Sequence, residues 1–416
     1  MLRARRDVPV RRRRGDLAAA AFLVLALVVV AVVYGTRSPA AETDSVPAIA
    51  PGTAPAAATA VPAGFAEAWR AASGAAPVPV VAGPGVVTAD GATVVGRDAA
   101  TGAERWRYAR DRPLCTVAEG FGRALALYQD DSGKWCSELT ALDADLGTRG
   151  PAANLDVRPG ARLLAAGSVV SANSRDYIET MRSDLVTTAQ YGAVVAPAQP
   201  GRQPRPGCSY TSLALGSGRL GVIENCAADS GDRLTVLRPD GSGDADTPNV
   251  EFSTQLSARG AQLLAVSVDR EAVLLPGPPE LQILDRSGNQ VGLIGLDVHE
   301  SEIAPPADGI GATASDTART YWWSGSRTIA LDRTGLAPVW TLRGTLGPGT
   351  AYAGGWLVPV PAGIAVVDPL RGTVERTIPV DRGGYTGKVL LAAQGGMLYE
   401  QRGSELVALR PLQNSS

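Results

Sequence analysis

Val86 to Tyr108 reads VVTADGATVVGRDAATGAERWRY, and its alternation of short apolar runs with turn residues decides the fold. Val86, Val87 and Thr88 open a strand, and Asp90-Gly91 is a two-residue hairpin signal. Val94 and Val95 lie in a second strand that ends at Asp98. Asp98-Ala-Ala-Thr-Gly102 is a tight turn, with Gly102 able to take positive φ. Glu104 to Tyr108 returns as a third strand carrying Trp106. A sheet this small cannot bury both of its faces alone, so the stretch predicts copies of itself on either side.

Degenerate copies follow at regular spacing. The best is Thr328-Ile-Ala-Leu-Asp332-Arg-Thr-Gly335, followed by Trp340, so Asp-to-Trp is eight residues in both units. Weaker copies are Thr140–Asp143 with Gly147, Leu281–Asp285 with Gly288, and Ile364–Asp368 with Gly372. Thr235–Arg238 and Leu406–Arg410 keep the apolar strand with Arg in place of Asp, and Leu185–Thr188 with Gly192 is the poorest. Positions 98, 143, 188, 238, 285, 332, 368 and 410 are separated by 45, 45, 50, 47, 47, 36 and 42 residues. Four-stranded propeller blades run about 40–45 residues. The expectation is an all-β, eight-bladed β-propeller of four-stranded antiparallel blades over 65–411. Seven blades is the alternative, because the third copy is barely recognisable. The last unit has too few residues left for a fourth strand, while Phe65–Ala72, carrying Trp69, precedes the first unit. Pairing of these two ends would close the ring and remove its exposed sheet edges.

The chain has 416 residues and a formal net charge of −2. Residues 1–16 hold seven Arg and form a basic tail that the topology rule keeps in the cytoplasm. Leu17–Tyr34 is free of charge and predicts one transmembrane helix, with everything after it outside. The rival is a cleaved signal peptide; a small-residue site lies near Ser38-Pro39-Ala40, but Arg37 and Pro39 flank it poorly. The Arg tail would suit anionic lipid, beyond its role as a topology signal. Residues 35–64 contain five prolines and little to bury, so they predict a disordered tether, and 412–416 is a short tail. Without residues 1–16 the remainder is acidic, which argues against a nucleic-acid partner.

The four cysteines, Cys115, Cys136, Cys208 and Cys226, lie outside the cytoplasm on this topology. An even count there favours disulfides. Three connectivities exist, and the two local ones, Cys115–Cys136 and Cys208–Cys226, are chosen because each would staple one blade.

The Ala/Val-x-Asp-x-x-Thr-Gly-x-x-x-Trp pattern, at Val94–Trp106 and Ile329–Trp340, resembles the repeat of the pyrroloquinoline-quinone-like β-propellers. The resemblance implies that Trp69, Trp106 and Trp340 dock between blades while Asp and Gly shape the turn. It covers roughly residues 65 to 411, though only two units carry it well. Members of that family include quinone-dependent dehydrogenases and non-catalytic scaffolds of the bacterial envelope. The dehydrogenases use a vicinal Cys-Cys disulfide, and this chain has no adjacent cysteines. Relatives that depend on a catalytic His find only His299 here, in an acidic run that reads as a solvated loop.

Other signatures fail on their own terms. Gly383–Lys388 resembles a phosphate loop, but the required glycine falls on Arg382. Asp240–Asp246 spaces carboxylates like a calcium loop but lacks the following Gly and distal Glu. Tyr321-Trp322-Trp323 places one Trp on each face of a strand; burial of both between sheets is the first reading, and an outward Trp322 or Trp323 would instead suit a sugar or a protein. The expectation is therefore a membrane-tethered, extracytoplasmic propeller. It would act as a non-catalytic binding or scaffold module of the cell envelope, with no catalytic residue, metal or cofactor assigned and with an envelope protein or cell-wall glycan as partner. The alternatives are a pyrroloquinoline-quinone dehydrogenase and a cell-wall carbohydrate-binding protein.

Overall fold

The computed structural model describes residues 14–36, 42–241, 244–303 and 305–412. The Arg-rich tail over 1–13 with its lipid expectation, the small-residue site near Ser38–Ala40, and 413–416 lie outside the described residues. The chain divides into two units, Met1–Asp44 and Ser45–Ser416.

In the first unit a helix spans Arg14–Thr36, a little longer at each end than the predicted Leu17–Tyr34. Its 23 residues measure about 34 Å at 1.5 Å per residue. Asp16 in the first turn complements the helix dipole, which explains the earlier start. The stretch Gly15–Val33 is apolar, with none of it buried, so the helix is long and apolar enough to cross a membrane.

The second unit is built from the hairpins read in the sequence. Eight antiparallel sheets follow one another, with blades 1 to 7 over 80–110, 114–157, 162–192, 209–255, 262–295, 313–343 and 350–379. Blade 8 takes three strands from 389–412 and its fourth from Gly64–Ala72. That fourth strand runs antiparallel to Glu405–Leu412, from Gly64 opposite Leu412 to Ala72 opposite Glu405. The N-terminal strand thus closes an eight-bladed β-propeller. A fifth short strand, ending at Val46, lies on the outer edge of blade 1.

The turn between third and fourth strands repeats for a physical reason. In blade 1 the Asp98 carboxylate accepts from the N–H groups of Ala100 (3.1 Å) and Thr101 (2.8 Å) and from the Thr101 hydroxyl (2.8 Å). Those bonds, the Thr101 hydroxyl foremost, hold its pKa below the usual carboxylate value. Asp143, Asp285, Asp332 and Asp368 cap their turns in the same way. Gly102, Gly147 and Gly372 take φ of 73°, 71° and 70° in these turns. In blade 6 the left-handed position falls on Leu336 (φ 58°) and not on Gly335. No tryptophan ring crowds that turn, and the Leu336 side chain is buried beside Ile294 and Leu296.

The third copy was read out of register. The third strand of blade 3 is Tyr177–Met181, its turn is built on Arg182 and Leu185 (φ 59°), and Thr187–Gly192 is already the outer strand. The Asp and Gly that mark the turns of blades 1, 2, 5 and 7 are both replaced there.

Between neighbouring blades sit eight apolar clusters among the described residues, one for each junction. No blade has a core of its own; burial comes from stacking. Cys115–Cys136 staples blade 2 and Cys208–Cys226 staples blade 4, across separations of 21 and 18 residues. Closing loops of that size contributes about 3 kcal/mol each by chain entropy.

The disordered tether expected over 35–64 does not describe the chain from Ser45 onward. The Ala48 N–H donates to Leu146 O (2.9 Å) and the Gly52 N–H to Asp145 Oδ1 (2.8 Å). Arg105 donates to Ala50 O (3.0 Å), and Arg376 to Val61 O and Pro62 O (both 2.9 Å). Val61 and Ala58 pack against the core between blades 7 and 8. A stretch poor in side chains leaves its backbone carbonyls bare, and two arginines of the ring take them.

Candidate functional site

Alternating strand direction sorts the loops onto two faces. Blade-to-blade connectors and second-to-third loops share one face, here the connector face; the remaining turns share the other. Most connectors are short. The long ones are 193–208, between blades 3 and 4, and 296–312, between blades 5 and 6, and the latter reaches back to blades 3 and 4.

This segment is held at both ends. Val298 and Ile303 are buried in the core between blades 5 and 6, and the Ile303 carbonyl accepts from Gln262 Nε2 (2.6 Å). Glu302 accepts from Ser326 Oγ (2.7 Å) and pairs with Arg327; the serine bond above all keeps its pKa below the usual carboxylate value. Further along, Asp308 pairs with Arg162 of blade 3 at 3.0 Å. Burial works against the Arg162 charge and Asp308 works for it. Gly309 O accepts from the Leu213 N–H of blade 4 at 2.9 Å, using the inner edge of that blade as a strand would. Gly309 takes φ 70°, which lets the backbone approach this closely.

The segment leaves a cavity on each side of its Pro305. One, of about 440 Å³, lies against blades 3 and 4 and is lined by Gly160, Asn173, Arg175, Tyr210, Pro306 and Asp308. The other, of about 470 Å³, lies against blades 4 and 5, with Arg259, Pro276, Gly277 and Glu300. A third space of about 390 Å³ opens on the opposite face between small and apolar groups of the innermost strands, among them Ala165, Ala214, Leu215 and Ala265. Beside the first cavity, the Arg158 guanidinium lies 5.5 Å from the ring centre of Trp135 and pairs with Asp176. The first two cavities give the connector face proline- and glycine-walled hollows edged by arginines.

The tryptophans divide by position. Trp69 Nε1 donates to Ala99 O (3.1 Å), Trp106 Nε1 to Ala144 O (3.1 Å) and Trp340 Nε1 to Pro369 O (3.0 Å), each reaching the turn of the following blade. A Cβ on Gly102, Gly147 or Gly372 would fall 2.5–2.6 Å from the docked ring, so the glycine is a steric demand of the indole. Phe252 meets Gly288 in the same manner. Trp322 does not face outward: it is 3% exposed in the core between blades 5 and 6. Trp323 is half-buried, with Nε1 donating to Thr345 O (3.0 Å). Packing of blade 5 against blade 6 claims the first ring, and a carbonyl claims the polar edge of the second.

Trp135 was missed in the sequence. It stands at the end of the loop Asp130–Trp135 between the second and third strands of blade 2, where no spacing marks it.

The weaker motifs resolve into structure. His299 is exposed and accepts from the Ser301 N–H at 3.3 Å, capping a short 3₁₀ turn. Arg382 is buried against Glu400 at 2.8 Å, with Arg402 on the other side of the same carboxylate. Asp244 and Asp246 accept from Gln199. The residues present do not fit a quinone cofactor of the kind the resemblance implies: both disulfides join distant cysteines, and the one histidine serves a turn.

No protein-family model matches the chain, and no curated protein matches it by sequence. Solved structures do match in fold. BamB from Moraxella catarrhalis superposes with a TM-score of 0.50 at 14% identity, covering 83% of this chain and 99% of that one. Sqt1 from Saccharomyces cerevisiae superposes with a TM-score of 0.52 at 10% identity, covering 84% and 98%. Identities this low establish the β-propeller fold and nothing finer.

Proposed function

We propose that this chain is a membrane-tethered β-propeller that works outside the cytoplasm as a non-catalytic binding module of the cell envelope, with a protein partner seated on the connector face. The segment 296–312 carries this reading. It is fastened to blades 3, 4, 5 and 6, and it walls two hollows on one face. A fixed, proline-rich surface binds without paying to order itself. The seven Arg before the apolar helix support an orientation with the propeller outside.

The reading is tested by placing a photocrosslinking residue at Pro306 or Gly160 in intact cells, with Gly218 on the opposite face as control. A discrete crosslinked protein from the first two positions, and none from Gly218, is the expected result. Equal labelling from both faces, or no adduct from any position, would overturn it.

A further inference from the structure

Each blade ends in an outer strand whose backbone N–H and C=O groups point alternately away from its sheet. Such an edge templates pairing with another chain unless it is covered, charged or interrupted. Seven of the eight are guarded. Blade 1 carries the fifth strand ending at Val46. Blade 2 has Arg149, Pro151 and Asp156 in Arg149–Val157. Blade 3, in Thr187–Gly192, has no charge or proline, but it is covered: Gln190 N–H donates to Ala245 O (2.6 Å), and Gln203 occupies Gly192 N–H and Gln190 O. Blade 4 holds Glu251 among Arg219, Arg238 and Arg286. Blade 6 has Pro338 and Arg343, blade 7 has Glu375, Arg376 and Pro379, and blade 8 has Glu67 paired with Arg70.

Blade 5 is the exception. Its outer strand, Gln290–Gly295, reads QVGLIG and contains neither charge nor proline; its one register shift, at Val291, is shared in kind by the outer strands of blades 4, 6 and 7 and does not set it apart. Among the described residues no other segment bonds to its outer side. Val291 and Leu293 are 52% and 47% exposed. A Cβ at Gly295 would meet nothing within 4 Å, so the ring's own packing does not require that glycine. Glycine in an edge strand often marks a close approach by another backbone.

The geometry points to this edge as a β-augmentation site. An extended, uncharged segment of a partner protein adds to blade 5 as a fifth strand, antiparallel to Gln290–Gly295, with apolar side chains at alternate positions beside Val291 and Leu293. The inference rests on the binding-module reading and names a surface for it. The molecule makes the same move twice within itself, at the outer edge of blade 1 and in the closing strand of blade 8. A second copy of the chain is the poorer occupant. Six residues span about 20 Å, and pairing two rims over that length buries on the order of several hundred Å², below the roughly 1,200 Å² of a stable interface.

The test pans the full-length protein, in detergent micelles, against a phage-displayed library of random twelve-residue peptides. Selected peptides are expected to lack charge and to alternate apolar residues. A synthetic copy should slow hydrogen–deuterium exchange at the backbone amides of 290–295. Leu293→Lys should weaken its binding at least tenfold, Thr341→Lys on blade 6 should leave binding unchanged, and both variants should melt with the native protein. Peptides that bind with protection elsewhere, or that ignore Leu293→Lys, overturn the edge while leaving a binding module standing. Failure to select any peptide also overturns the edge, and crosslinking from Pro306 then decides the module reading separately. A native dimer in sedimentation that Leu293→Lys turns into monomer assigns the edge to a second copy instead.

Discussion

Glu271 shows how much one residue can be asked to hold. It sits fully buried on the second strand of blade 5 and pairs with Arg219 of blade 4. Burial pushes its carboxyl from 4.5 up to about 7; Arg219 draws it down, while Glu251 and Asp285 push it further up. A carboxyl raised on folding favours the folded state while protonated. Its contribution is therefore complete below about 4.5 and is lost as the pH rises through about 7. Glu271→Gln has no charge to bury at any pH. Measured from pH 5 to pH 8, the melting temperature of the variant relative to the native protein should climb by a few degrees. A constant difference across that range would show that Glu271 stays ionised throughout.

Elements meet in this molecule through a ring and a turn. Where a Trp-bearing outer strand faces an Asp-turn-Gly, the indole lies on the glycine and bonds to a carbonyl of the turn. Trp106→Ala removes a ring that is 1% exposed and strands the Ala144 carbonyl, at an expected cost of about 3–5 kcal/mol in urea unfolding. Trp323→Ala, at a half-buried site, should cost clearly less. If the two prove equal, docking of the indole into the next blade is not what secures the junction. The same device explains what was legible. Asp and Gly at fixed spacing mark the backbone shape a tight turn demands, so the turns of blades 1, 2, 5 and 7 could be read directly. In blade 3, Arg182 and Leu185 make the turn with neither signal, and the register slipped. Burial of Trp322 between sheets was one of the two readings the strand allows, but which junction takes it was not legible, because that depends on blade 5, a partner that spacing does not reveal. The segment 296–312 escaped for a similar reason: Pro, Gly and Asp read as loop whether they hang in solvent or bridge four blades.

At the scale of the whole molecule, closure is the property that local pattern carried best. Phe65–Ala72 was read as an orphan fourth strand, and it lies against Glu405–Leu412. Both natural disulfides consume all four cysteines, so new thiols are unambiguous reporters. Ala66→Cys together with Arg410→Cys, which face each other across this pair, should oxidise spontaneously and raise the melting temperature. Persistence of two free thiols would mean that the ends do not meet. The seam also dictates a schedule. Translation delivers Gly64–Ala72 ahead of every complete blade and its mate, Glu405–Leu412, after the other seven, so the first strand waits until the rest of the ring has been made. A ribosome halted anywhere before Glu405 releases an arc with two raw borders, each a template for pairing with another chain.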